Sequence, residues 1–387
     1  MSTRQQALQT LVQFLPSASH VYATERNFDT ESPCVSKLSR FLRCRLVSEE
    51  EVIQQVLSQY QLSESEKFVQ EVVWRTYWKG WLERHPGLWS SYVQRVQHLK
   101  SCFTNAADLQ RAVEGQTGIE CFDHWVRELK QTGYLHNHAR MWVASIWIFT
   151  LKLPWEMGAD FFLSHLLDAD AAANTLSWRW VAGLQTRGKN YLATAENIQK
   201  FTKGRFFPVG QLAREALPIE ESLRFESLEL PQLIHQIPEP VVRGEWTLLV
   251  HSEDLTVDVH FDSKRPPRSV ILYWDSFLGR TNLVNDFYAQ AFQETADRIQ
   301  KKWGSNLVLV KTPSNLMTTL SQRSPIILRQ PSVGWLRDEL DPIFGDNQGR
   351  FVSLRHPFDA AVFPFAAKGF FPFKEQVFAW IPKHFKS

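Results

Sequence analysis

Three stretches of this chain set acids, amides, guanidinium groups and indoles at helical spacing. The first reads Asp168-Ala-Asp170-Ala-Ala-Ala-Asn174-Thr-Leu-Ser-Trp178-Arg-Trp180. On a helix, Asp170, Asn174 and Trp178 recur every four residues, so a carboxylate, an amide and an indole share a face. For Asp170 alone the competing assignment is an N-cap ahead of a solvated helix face. The second stretch, Thr132-Gly133-Tyr134-Leu135-His136-Asn137-His138-Ala139-Arg140-Met141, puts Asn137, Arg140 and Met141 on one face. It opens a segment, 136–153, that is apolar nearly all round and ends at Pro154, as a helix buried on every side would. An arginine in such a helix needs a carboxylate, and Asp168 is the candidate. His136 and His138 read as structural histidines. The third stretch, Glu71-Val-Val-Trp74-Arg75-Thr-Tyr-Trp78, lays a carboxylate, two indoles and a guanidinium along one stripe.

The elements that must carry these residues change character along the chain. With 387 residues, two domains are expected. Up to about 230 the apolar residues recur at helical spacing, as in Ala7, Leu8, Leu11, Val12 and Leu15, or Phe68, Val72, Tyr77 and Trp81. Prolines punctuate 228–244, which reads as a linker. Beyond it, short apolar runs at 246–251, 269–274, 306–311, 326–329 and 351–354 are bounded by Gly, Pro, Asn or Ser, with an amphipathic helix at about 283–303. The fold class is therefore α + α/β: a helical domain over 1–230 and a small Rossmann-like α/β domain with a largely parallel sheet over 245–387. The segment 358–380, rich in aromatics and prolines, is expected to be an irregular tail.

Composition excludes more than it selects. Hydrophobic residues at 44% and charged residues at 22% are those of an ordinary globular protein. A net charge of +2 does not diagnose a nucleic-acid partner, so any such contact must be local. The N-terminus has no apolar core of a signal peptide, and no run of about 18 apolar residues occurs, which predicts a cytoplasmic protein with no membrane partner. Cys34, Cys44, Cys102 and Cys121 lack metal-site spacing and are expected to be buried thiols, so no metal is called. The 15 tryptophans fit a core, a stacking platform or an electron path equally well.

Taken together, the three stretches closely resemble the FAD-binding domain of the photolyase/cryptochrome family. Tyr22-Ala-Thr-Glu-Arg-Asn and Val35-Ser-Lys-Leu-Ser-Arg-Phe-Leu are similar to further family motifs, as is Thr117-Gly118 with Asp123, and the likeness spans roughly 3–215. The resemblance implies FAD as cofactor. Tyr22, Ser36, Lys37, Leu38 and Ser39 would hold the folded FAD, with Arg75, Asn137, Arg140, Asp168, Asp170 and Asn174 around the flavin. Asn174 would face flavin N5. Glu71, Trp74, Asn137, Met141 and Trp180 match the positions that surround a cyclobutane pyrimidine dimer in the family's repair enzymes, where indoles stack on a flipped lesion. Excited reduced FAD would donate an electron to the dimer, with the cofactor carrying the reaction. Trp178 and Trp155 match the proximal and middle members of the photoreduction chain.

Departures from the family pattern shape the expectations. Val35 and Lys37 replace a threonine and an arginine, weakening the phosphate grip. His138 and Ala193 stand where repair enzymes carry arginines for DNA phosphates, which predicts a preference for single strands. The distal electron-transfer position falls near Cys102, which cannot relay; Trp142, Trp147, Trp125 or Tyr134 could supply another exit. The family's α/β domain does not stand in front of this helical region. Thr247-Leu-Leu-Val-His-Ser-Glu-Asp-Leu, the run 269–275 and Ser305-Asn-Leu-Val-Leu-Val-Lys-Thr-Pro look like its strands, so 245–387 is expected to be that antenna-type domain displaced by circular permutation. It has no Gly-x-Gly-x-x-Gly, so no dinucleotide is indicated there, and no residue names a second chromophore. The resemblance thus implies a deoxyribodipyrimidine photolyase-like lyase acting on damaged DNA. The alternative is a blue-light receptor using the same FAD without repair, with a signalling protein as partner.

Overall fold

The computed structural model describes residues 2–186, 188–219, 221, 225–233, 244–260, 266–274, 279–321, 325–345 and 349–385. Its first part is helical: α1 (Arg4–Phe14), α2 (His20–Glu25), α3 (Ser39–Arg43), α4 (Glu49–Leu57), α5 (Glu66–Arg84), α6 (Pro86–Cys102), α7 (Ala106–Glu114), α8 (Glu120–Thr132), α9 (Asn137–Ser145), α10 (Trp155–His165), α11 (Ala171–Val181) and α12 (Ala195–Phe201). Local chemistry sets several ends. Ser48 and Glu51 form a capping box at α4, whose first turn carries three glutamates. Gly133 ends α8 in the left-handed conformation, φ 66°, where a side chain would also strike Leu167. The apolar segment after α9 continues as a π turn, Ile146–Thr150, before the chain breaks at Pro154. Regular helix stops at Phe201, earlier than the apolar periodicity suggests, and 202–219 runs as turns and extended chain. Of the proposed linker 228–244, residues 234–243 lie outside the described residues.

The second part alternates strand and helix: β1 (Thr247–His251), α13 (Val257–His260), β2 (Ser269–Tyr273), α14 (Asn282–Trp303), β3 (Asn306–Val310), α15 (Pro313–Ser321), β4 (Ile326–Arg329), α16 (Trp335–Gly345) and β5 (Phe351–Leu354). All pairs are parallel, in the order β3-β2-β1-β4-β5. Each expected strand is present within a residue or so; Asp275, at the end of the second expected run, lies outside the described residues. Leu248 and Val250 face the large core shared with the helical part, whereas Leu249 faces a smaller core with Ile271, Leu328 and Leu336. That two-sided burial explains uninterrupted apolar strands in place of alternating ones.

The expected irregular tail is instead helical. Helix α17 (Pro357–Val362), a short 3-10 turn at Phe363–Phe365 and α18 (Phe370–His384) pack along α5. Pro364 and Pro372, the prolines of 358–380, do not break it: each stands in the first turn of its element, where the missing N–H would have had no intrahelical acceptor. The thiol expectation also needs correction, since Cys44 and Cys121 are buried, Cys34 is half-buried and Cys102 is exposed. No helix among the described residues is long and apolar enough to cross a membrane.

The two parts share an interface of buried polar contacts. Arg45 forks onto both oxygens of Asp359 at 2.7 Å, Leu255 N donates to Cys44 O at 2.9 Å, and Trp89 Nε1 donates to Asp338 at 2.7 Å. The backbones approach so closely that a Cβ on Gly334 would lie 2.7 Å from that of Ala171, the first residue of α11.

Candidate functional site

Asp168 and Asp170 lie between cations delivered by three helices. Arg140 of α9 donates from Nη2 to Asp168 Oδ2 at 3.1 Å, and from Nε to Leu135 O at 3.0 Å. Arg75 of α5 reaches Asp170 Oδ2 at 3.1 Å and Asp168 Oδ2 at 3.9 Å, while Lys79, one turn on, stands 3.9 Å from Asp170. Asp170 is the N-cap of α11 rather than part of its face, with φ −133° and ψ 126°; its Oδ1 accepts from Ala173 N at 2.8 Å. The capping and charged-site assignments are therefore both true, one oxygen serving each. Burial alone would raise both carboxyls. For Asp168 the guanidinium groups of Arg140 and Arg75 overcome it and hold the group below its ordinary value. For Asp170, Lys79, Arg75 and Arg43 bring it down to about 2.

One buried acceptor and one amide oxygen remain in this cluster. Asp168 Oδ1 accepts no hydrogen bond within normal range, although the Ser39 hydroxyl lies near enough to contribute to the low pKa. Asn174 donates from Nδ2 to Ala159 O at 2.9 Å, which fixes its amide and leaves Oδ1 with no donor among the described residues. An amide oxygen so placed is an acceptor for a ligand N–H.

Beside the Arg140–Asp168 pair lies a cavity of about 620 Å³, lined by Lys37, Arg40, Glu128, Tyr134, His136 and Arg205 among others. Asp168, Asp170 and Asn174 do not line it. Lys37 takes a left-handed conformation, φ 53°, and its ammonium lies 5.9 Å from the Tyr134 ring centre; Arg140 stands 5.8 Å from the same ring. His136 is buried, its Nδ1 accepts from His138 N at 3.2 Å, and among the described residues Nε2 makes no hydrogen bond within normal range, although the Arg26 backbone lies near enough to act on the ring. Burial brings its pKa down to about 4, so at neutral pH Nε2 carries the ring's single proton. FAD fits these groups: the cavity offers cations for a pyrophosphate and a volume within the usual range for a bound cofactor, and the neighbouring cluster offers the Asp168 acceptor.

The remaining expected cofactor residues divide. Ser36 Oγ accepts from Leu38 N at 3.4 Å, Leu38 is fully buried in the core, and Ser39 opens α3 near Asp168. Tyr22 is buried edge-on to Phe14 and Phe68; burial first, then the charge of Glu71, raises its pKa.

The five positions matched to lesion binding lie on three helices, α5, α9 and α11. Glu71 accepts from Arg26 at 2.5 Å; burial raises its pKa and Arg26 offsets part of that. Trp74 stacks on Trp78 at 5.4 Å and is packed by Phe370 of α18. Asn137 is exposed, Met141 half-buried, and Trp180, 37% exposed, stacks on Tyr191. Among the described residues no hydrogen bond or ring contact joins these three to Glu71 or Trp74, although α11 packs on both α5 and α9. His138 and Ala193 are buried, His138 bonding Asn27 O and Tyr191, so neither position faces outward. Thr117, Gly118 and Asp123 serve structure: the carboxylate accepts from both backbone amides and the Thr117 hydroxyl.

Trp178 is buried against Trp147 and Phe162, and a Cβ on Gly158 would lie 2.3 Å from its ring. Trp155 stacks on Tyr92 at 5.6 Å, and Tyr92 meets Trp89 at 5.4 Å. Of the other exits considered, only Trp147 touches Trp178 among the described residues; Trp125 and Trp142 stack on each other, and Tyr134 lies between Lys37 and Arg140. Sequence reading missed Arg26, Arg43, Lys79 and Phe370. Of these, Lys79 was legible, falling four residues after Arg75 on the same stripe.

Comparisons with known proteins bear on the helical part of the chain. Residues 68–233 match the family model for the FAD binding domain of DNA photolyase. The deoxyribodipyrimidine photo-lyase of Escherichia coli K12 is 29% identical over 222 residues, covering 55% of this chain and 45% of that protein. The Streptomyces griseus protein of the same name is 31% identical over 228 residues, covering 55% and 47%. This chain thus spans about half the length of the curated relatives it matches. The crystal structure of a bacterial class III photolyase from Agrobacterium tumefaciens aligns with 52% of this chain and 43% of its own, at 28% identity and a TM-score of 0.45. Over residues 68–233 the chain is thus similar to the FAD-binding domain of the photolyase/cryptochrome family.

Proposed function

We propose that this protein binds FAD at the Asp168–Asp170 cluster and uses it to repair cyclobutane pyrimidine dimers in DNA under light. The observation that carries the reading is the convergence of Arg75, Arg140, Asp168 and Asp170 beside a cavity lined by Lys37 and Arg40. Bound FAD supplies the light-driven one-electron chemistry. Lys37 and Arg40 offer charge to its phosphates, the acid–guanidinium cluster fixes the walls, and Asn174 Oδ1 offers an acceptor to a protonated flavin nitrogen. Glu71, held by Arg26, offers a carboxylate oxygen to a pyrimidine imide N–H. Trp180 and Trp74 offer indole faces for a flipped base, and Asn137 and Met141 complete the surface. With His138 and Ala193 buried, the grip on duplex phosphates is weak, which favours single-stranded substrates.

The α/β part is read as an antenna-type domain displaced to follow the helical one. Its all-parallel sheet and the turn after β1 support this. The second reading, a light receptor with a signalling partner, is favoured by one contact: Phe370 rests on Trp74, one of the two indoles a lesion would need.

Illuminating the reduced protein with dimer-containing oligonucleotides, single- and double-stranded, tests the choice. Repair predicts dimer loss, faster on single strands. An FAD-loaded protein that leaves dimers intact overturns repair in favour of sensing.

A further inference from the structure

The acid cluster is held from behind by a residue of the other half of the molecule. Arg43, on α3, is 1% exposed. Its Nε donates to Ala169 O at 2.5 Å, the carbonyl between the two acids, and its Nη2 lies 3.2 Å from Glu253 Oε1. Glu253 follows β1, and its other oxygen accepts from Ser332 N at 2.8 Å, so the carboxylate is fixed by the backbone leading to α16. Arg43 also lies over Trp335, the first residue of α16, at 5.4 Å. Burial would raise Glu253, yet Arg43 and Lys79 hold it below its ordinary value. The same two cations act on Asp170.

We infer that Glu253 is a positioning residue for the flavin site, acting through Arg43 on the Asp168–Asp170 segment. The inference rests on the FAD reading above. Arg43, Arg75, Lys79 and Arg140 face only two acids from the helical part; Glu253 supplies a third. With Glu253 neutralised, Arg43 is drawn toward Asp170, the acid its charge already reaches. It then releases the Ala169 carbonyl, and the segment that carries both acids loses its back support. One negative charge near the flavin disappears as well, which favours the reduced cofactor. The α/β part is thus a component of the cofactor site and not an appendage to it.

The test titrates FAD into apoprotein, with folding checked by circular dichroism, for wild type, Glu253→Gln and Arg43→Lys. Glu253→Gln should weaken FAD binding about tenfold and raise the reduction potential of the bound flavin, a shift that a purely structural role would not give. Arg43→Lys keeps the charge but has one donor head, so it cannot span Ala169 O and Glu253; binding should weaken similarly with little change in potential. A wild type that binds no FAD overturns the underlying reading. A wild type that binds, with folded Glu253→Gln unchanged in affinity and potential, overturns this inference alone. Should Glu253→Gln fail to fold, Arg43→Lys decides, and unchanged affinity there overturns it.

Discussion

Arg75 spans from α5 to Asp170, 3.1 Å from the oxygen that does not cap α11. One carboxylate therefore ends a helix and ties it to a neighbour, so the walls of the site are set by helix packing before any ligand arrives.

Asp170→Ala removes the cap and strands Arg75 and Lys79. Leaving a buried charge without its partner costs roughly 3–5 kcal/mol, with about 1 kcal/mol more for the cap. The expected outcome is a lower melting temperature of the apoprotein together with loss of FAD, read by differential scanning fluorimetry and the absorbance of the purified protein.

Glu71→Ala acts elsewhere. Its partner Arg26 is partly exposed, so the stability loss should be small. FAD content should match wild type while dimer repair falls about tenfold or more, the scale of losing a placed hydrogen-bonding group. Equal repair rates would remove Glu71 from the lesion site.

Trp178→Phe keeps an aromatic ring in a buried slot but raises the cost of oxidising it. Light-driven bleaching of the oxidised flavin should slow, while FAD affinity stays within about threefold of wild type by the tolerance of near-isosteric swaps. Unchanged kinetics would exclude Trp178 as the proximal donor.

His136 gives a pH dependence. Its folded pKa, about 4, lies below the ordinary 6.5. A depressed folded value means that the unfolded chain binds the proton first, so the stabilisation is full above 6.5 and lost as pH falls toward 4. Over that window the loss is roughly 3 kcal/mol. Urea midpoints measured from pH 7 to 4 should fall, and His136→Phe should flatten the slope.

The strands, the Asp168–Asp170 charge cluster and the Arg140–Asp168 pair were legible because each is written at short range: apolar runs between turn residues, and charged residues at helical spacing. What was not legible depends on distant parts meeting. Phe370 reaches Trp74, and Glu253 reaches Arg43, across separations no local period encodes. Pro357 of α17 and Pro372 of α18 read as breakers because their place within a first turn is known only once the helix start is known. The lesion residues matched by resemblance lie on α5, α9 and α11, helices that touch, and which side chains face one another there is not encoded by spacing, which fixes a face and not a rotamer.

The most direct measurement of the central claim is a titration of FAD into apoprotein by isothermal calorimetry, comparing wild type with Arg140→Met. The account predicts one FAD per wild-type chain and at least about tenfold weaker binding when the Asp168 partner is lost, the scale of removing a charge-assisted pair. A wild type that takes up no FAD, or an Arg140→Met protein that binds it equally well, would contradict it.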